Sequence, residues 1–205
     1  MDEPALVAVS SLSEFFREQL RGASERQHLR LTGHTECYVV NLLACYGRTE
    51  ALFEQRDGAL RAPLLAALLA RALHSATGAE RERRLQRLGD VALFWAGFFA
   101  HGFARKLVDV DYYIAMGGHA YESLAEAAGT PGLAGIRPVF AELALKFVAI
   151  VDALHALADQ ARPASADDPM RYYEIWTKTG SRHAHDRLVG MGITPVRGGS
   201  PRARH

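Results

Sequence analysis

The chain has 205 residues, enough for one domain whose core needs neither disulfides nor metal. It is 49% hydrophobic and 23% charged with a net charge of +1, an ordinary balance for a soluble globular protein, and no global field favours nucleic acid or an anionic membrane. Cys37 and Cys45 are the only cysteines. They fall about 12 Å apart along one helix, too far for a disulfide, and two thiols exclude a four-thiolate zinc site.

The opening MDEPALVAVSSLSEFF starts with two acids and lacks the basic start of a secretory signal. Together with the cysteine usage this makes a reducing cytoplasm the expected compartment. Helical periodicity dominates; strand-like alternation is confined to Leu6–Val9. A first helix is expected from about Leu12 to Gly22, capped by Ser11 or Ser13, with Leu12, Phe15, Phe16 and Leu20 on one face. A second runs from about Thr35 to Gly47, and residues 50–56 add a short turn. Pro63, a good first-turn residue, opens a third that Gly78 ends.

The fourth helix, about Ala79–Arg105, begins charged and becomes apolar on two faces. Leu85, Leu88, Ala92, Trp95, Phe99 and Phe103 form one stripe; Asp90, Phe94, Gly97 and His101 form the other. Such a helix is packed on two sides. Its apolar run is about half a membrane span, so no membrane insertion is expected. A fifth helix, about Val108–Ala128, precedes the loop GTPGLAG. A sixth, about Arg137–Ala161, carries Phe140, Leu143, Phe147, Ile150, Val151, Leu154 and Leu157 as a core stripe. Residues 162–169 read as a linker that closes a bundle spanning 1–161. Asp168 caps a seventh helix with Pro169 at its first position, Gly180 ends it, and Ser181 caps an eighth that ends at Gly190. The expected fold is therefore all-α: about six bundled helices, a C-terminal helical hairpin over 170–192 packed on them, and a flexible tail over 193–205.

Residues 88–121 interleave Asp90, His101, Asp109, Asp111 and His119 with eight aromatic rings. Buried carboxylates and imidazoles are costly unless bonded, so this stretch must satisfy them internally or turn them on a ligand. Asp111, Ala115 and Glu122 share a stripe away from the core face of helix five, with Tyr112 and His119 beside it. A candidate binding site is thus bordered by Asp90, His101, Asp111, Tyr112, His119 and Glu122, where helix four meets helix five. The adjacent Gly117 and Gly118 each weaken a helix by about 1 kcal/mol, which calls for close packing, a kink or ligand approach.

Nine histidines invite a test for metal. Glu25-x-x-His28 and Asp152-x-x-His155 have the spacing of di-iron ligands. Glu25, however, lies past the expected end of helix one, and Asp152 and His155 point away from the core stripe of helix six. Both are expected to lean toward solvent. His183-x-His185 splits its rings by about 200° around a helix, so the two cannot share an ion. No metal site is expected, and no cofactor can be named. Positions 178–205 hold six Lys or Arg against the single acid Asp186, next to a two-helix unit with a Gly turn. That leaves DNA binding through the C-terminal hairpin as an alternative, although the second helix is short for recognition.

At LGDVALFWAGFF, VDVDYYIAMGGHAY and the Thr179-Gly180-Ser181 turn, the chain resembles bacterial all-helical proteins. The resemblance spans most of residues 35–195 and implies a helical fold, with no residue role to transfer. No strong catalytic constellation stands out. The expected function is a non-enzymatic protein that binds a protein partner or small ligand and self-associates as a homodimer. The alternative is a metal- or haem-dependent oxidoreductase using His101, His119 or His155 with nearby carboxylates.

Overall fold

The computed structural model describes residues 3–46, 54–56, 59–61, 64–99, 110–127, 133, 135–160 and 168–196. The fold is all-α. Among the described residues there are nine helices and one short antiparallel hairpin. In chain order these are α1 (Glu3–Arg26), α2 (Gly33–Tyr46), β1 (Glu54–Arg56), β2 (Ala59–Arg61), α3 (Leu65–Leu73), α4 (Gly78–Phe99), α5 (Val110–Glu126), α6 (Arg137–Leu145), α7 (Phe147–Gln160), α8 (Pro169–Thr179) and α9 (Arg182–Gly190).

α1 is longer than its periodicity suggests and takes in Leu6–Val9. Phe16, Leu20 and Ala23 bury its inner face. It ends in a Schellman turn: Leu29 N–H donates to the Ser24 carbonyl at 2.8 Å and His28 N–H to that of Glu25 at 3.2 Å. His28 takes the left-handed position of that turn, with φ 55°. α2 starts at a local cap, where the Thr32 hydroxyl oxygen accepts from Thr35 N–H at 3.3 Å. Glu142 of α6 holds the same threonine through its N–H and its hydroxyl, at 3.2 and 2.7 Å. Where a short turn is expected over 50–56, residues 54–56 instead pair with 59–61, Arg56 facing Ala59. The expected continuation of α4 to Arg105 lies outside the described residues.

α4 is packed on both sides, as its two stripes require: Leu88, Ala92 and Trp95 are buried, and so are Phe94 and Gly97. α5 lies against α4 and α6. Two glycines permit the α4–α5 approach. A β-carbon on Gly89 would sit 2.7 Å from the Tyr121 ring, and one on Gly117 would sit 2.8 Å from the Ala92 β-carbon and closer still to the Phe147 ring.

The expected sixth helix is two, broken at Lys146, with no glycine or proline at the break. The Lys146 ammonium donates to the Glu142 carboxylate one turn back at 2.7 Å and to the Arg30 carbonyl at 2.5 Å, which ties the break to the turn after α1. α7 is the spine of the molecule. Residues 151–158 are all buried, because α1, α4, α5, α6 and α9 surround it. The C-terminal hairpin follows its local signals: Asp168 accepts from Met170 N–H at 3.0 Å, Gly180 closes α8 at φ 71°, and Ser181 accepts from Ala184 N–H at 3.0 Å. Residues 193–196 run back to α8, where the Tyr173 hydroxyl donates to the Val196 carbonyl at 2.8 Å. Residues 197–205 of the expected flexible tail, like the linker residues 162–167, lie outside the described residues.

Candidate functional site

Asp90 is the centre of a polar cluster joining three helices. One carboxylate oxygen accepts the Tyr38 hydroxyl of α2 at 2.6 Å and the Tyr121 hydroxyl of α5 at 2.7 Å. Gln86 of α4 donates to the Tyr38 oxygen at 3.0 Å. Rings enclose the cluster: Tyr121 stacks on Phe140 at 5.9 Å between centroids and meets Tyr38 edge-on at 6.4 Å. Burial pushes the Asp90 carboxyl up to about 6, against the pull of the two phenols and of Arg87. Burial and the nearby carboxylate also raise the phenols of Tyr38 and Tyr121, so both remain donors. The arrangement is a latch between three helices with its hydrogen bonds turned inward.

The other expected site residues do not join it. His101 lies outside the described residues. Asp111 is exposed at the start of α5, where its carboxylate accepts only from Tyr112 N–H, at 3.0 Å, among the described residues. Tyr112 is half-buried, with its ring edge-on to Tyr113. His119 and Glu122 form an exposed pair at 3.1 Å. These last two border an open groove of about 540 Å³, which lies between α5 and the α6–α7 pair. Ala115, Gly118, Ala125, Ala141 and Ala144 line its walls, with Phe147 and Val148 at one end. The α4–α5 contact where the site is expected is filled instead by Tyr121 against Gly89 and by Ala92 against Gly117. Of the two glycines, Gly117 serves packing, while a β-carbon on Gly118 would meet nothing within 4 Å.

A second polar cluster lies under the C-terminal hairpin and corrects the solvent-facing placement expected for Asp152 and His155. Both are buried, because α7 is covered on every side. His155 donates from Nε2 to the Ala96 carbonyl of α4 at 2.7 Å. Asp152 accepts from Arg182 N–H at 2.9 Å and caps α9 from outside its own chain segment, while its carbonyl accepts from Gln27 of α1 at 3.0 Å. Burial raises its carboxyl, opposed by bonds from Ser181 and Arg182. Two turns further on, an Asp159 oxygen binds the Tyr172 hydroxyl at 2.8 Å and His183 Nε2 at 2.7 Å. The Arg187 guanidinium sits 5.5 Å above the Tyr172 ring. His183 is therefore a docking residue, not part of a solvated helix face. Among the described residues, no three His, Cys, Asp or Glu side chains converge as metal ligands.

Asp159→Ala should lower stability by about 1–3 kcal/mol in urea unfolding, since it leaves two buried donors without their acceptor. Asp186→Ala, at an exposed carboxylate beside His185, should change it by less than about 0.5 kcal/mol. Equal effects would mean that Asp159 does not hold the hairpin.

The chain matches no protein-family model, no curated protein and no solved structure. Sequence periodicity overlooked Tyr38, Asp152, Asp159 and His183. The Asp152-x-x-His155 and His183-x-His185 spacings drew attention to two of these positions, as metal ligands and not as partners of the hairpin. Among the described residues, no helix is long and apolar enough to cross a membrane.

Proposed function

We propose that this chain is a non-enzymatic helical binding protein that pairs with a second copy of itself through the α5–α6–α7 groove. One observation carries this: a knob and a hollow share a face. Leu145, at the end of α6, is 84% exposed, and beside it runs a trough walled by alanines and Gly118. A twofold axis brings the knob of each copy to the trough of the other, the self-complementary geometry of a closed dimer. The His119–Glu122 pair supplies a polar rim around this apolar centre. A reducing cytoplasm suits the free, exposed Cys37 and Cys45.

Less supports the other roles. His119 is paired with Glu122 and His155 Nε2 is bonded to a carbonyl, so a redox centre would have to draw on other groups. In α9 the Arg182 N–H already donates to Asp152, so a DNA-reading role would have to rest on side chains and not on the helix start.

Sedimentation velocity tests the proposal. The wild type should sediment as a dimer. Leu145→Glu, which charges the knob, and Gly118→Leu, whose β-carbon starts in open space and whose side chain occupies the trough, should both sediment as folded monomers. A wild type that is monomeric at every concentration, or variants that still pair, would remove the groove from this role; a small apolar ligand would then be its candidate occupant.

A further inference from the structure

We propose that the cavity between the end of α1, the α6–α7 junction and the start of α9 binds a small phosphate-bearing anion. The cavity measures about 380 Å³ and gathers basic groups from three separate parts of the chain: His28 and Arg30 from the turn after α1, Lys146 from the kink, and Arg182 from the first position of α9. Gln27 and Asp152 complete its polar wall.

The charges are not balanced internally. Neither Arg30 nor Arg182 has a side-chain ion pair among the described residues. Lys146 is bonded to Glu142 and to the Arg30 carbonyl, which leaves its third N–H. The one acid in the wall, Asp152, already accepts from the backbone N–H of Arg182. The start of α9 is thus satisfied by protein, which leaves an anion the side chains of the lining residues Arg30 and Arg182. A guanidinium presents a planar fork of donors that matches phosphate oxygens.

His28 adds an independent indication. The Schellman turn that ends α1 needs a left-handed residue, which glycine supplies without strain. An imidazole at φ 55° there is not required by the turn, yet it lines this cavity. The left-handed position thus carries a backbone cost at a residue whose side chain is part of the cavity lining. The volume falls within the range of small-molecule sites and exceeds the space of a bare phosphate, so an organic remainder has room beside it.

Isothermal titration calorimetry with inorganic pyrophosphate, at constant ionic strength, is the test. The wild type should show saturable binding with one site per chain. Arg30→Gln and Arg182→Gln should each weaken it about tenfold or more, with unchanged melting curves, because both side chains are exposed. Arg30→Lys and Arg182→Lys, which keep the charge and lose the fork, should fall in between. Arg81→Gln, an exposed α4 arginine outside the cavity, should bind as the wild type does. No saturable heat, or equal loss in the Arg81 variant, overturns the proposal. Duplex DNA that binds through Arg30 and Arg182 without competition from pyrophosphate also overturns it, in favour of a polymer backbone.

Discussion

Gly117→Ala should destabilise the fold by about 1–3 kcal/mol, whereas Gly118→Ala, one residue along, should stabilise it by up to about 1 kcal/mol. At 117 the added methyl would overlap the Phe147 ring and come within 2.8 Å of Ala92 on α4. Neither neighbour can give way easily. Phe147 and Ala92 are both buried, and the Phe147 ring is fixed against Tyr121, 6.0 Å between centroids. α5 would have to move away from both α4 and the start of α7. At 118 the methyl enters open space, and alanine is simply the better helix former. Urea unfolding of dilute protein measures both, with melting shifts of about 2–4 °C per kcal/mol as a second readout. Effects of the same sign at the two positions would contradict the packing described for α5.

The second expected result is a pH dependence that Asp90→Asn removes. The folded carboxyl is held up to about 6, against an ordinary 3.8, mainly by burial. A raised folded value means that the native state binds the proton more tightly than the unfolded chain does. The stability from this group is complete below the ordinary value and is lost as pH rises through about 6. That loss amounts to about 3 kcal/mol by pH 8. Asparagine keeps an oxygen for the Tyr38 and Tyr121 hydroxyls and cannot ionise. The stability of Asp90→Asn relative to wild type should therefore improve by about 2 kcal/mol between pH 4 and pH 8. Glu142 works in the opposite sense. Burial alone would raise it, but bonds from Lys146, Thr35 and Thr32 bring it to about 2, so its contribution is lost only in acid. Because Glu142 is common to both proteins, it cancels in the comparison. Parallel stability curves would show that Asp90 titrates as an ordinary surface acid.

Local chemistry made much of the fold legible. The Asp168–Pro169 start, the Gly180 stop and the Ser181 cap place α8 and α9, because caps and left-handed closures are decided by a few adjacent residues. The two apolar stripes of α4 foretell packing on two sides for the same reason. What escaped depends on distant partners. At the break, Lys146 bonds the carbonyl of Arg30, far away in sequence. Asp152 and His155 seemed solvent-facing because one core stripe was assumed for a helix that turns out to be enclosed. The β1–β2 pairing had a signal, the Asp57-Gly58 dipeptide, but its flanks are too polar to show alternation. For the candidate site, periodicity placed His119 and Glu122 outside the core of α5, but the groove they border is made with α6 and α7, a neighbour relation that no helical wheel contains.

The bonds around α7 also set an order of events as the chain is made. Asp152 takes Gln27 from near one end of the protein and Arg182 from near the other. On a growing polypeptide, synthesised from its N-terminus, α7 emerges before the segment that covers it. Until α8 and α9 follow, Asp152 and Asp159 face water on the uncovered side of the spine, hydrated and ionised. Arrival of the hairpin expels that water and supplies Arg182 N–H, His183 and the Tyr172 hydroxyl in its place. The α8–α9 hairpin thus covers two carboxylates that only water can satisfy before it is made, so a chain cut before residue 168 should expose Asp152 and Asp159 on that side of α7.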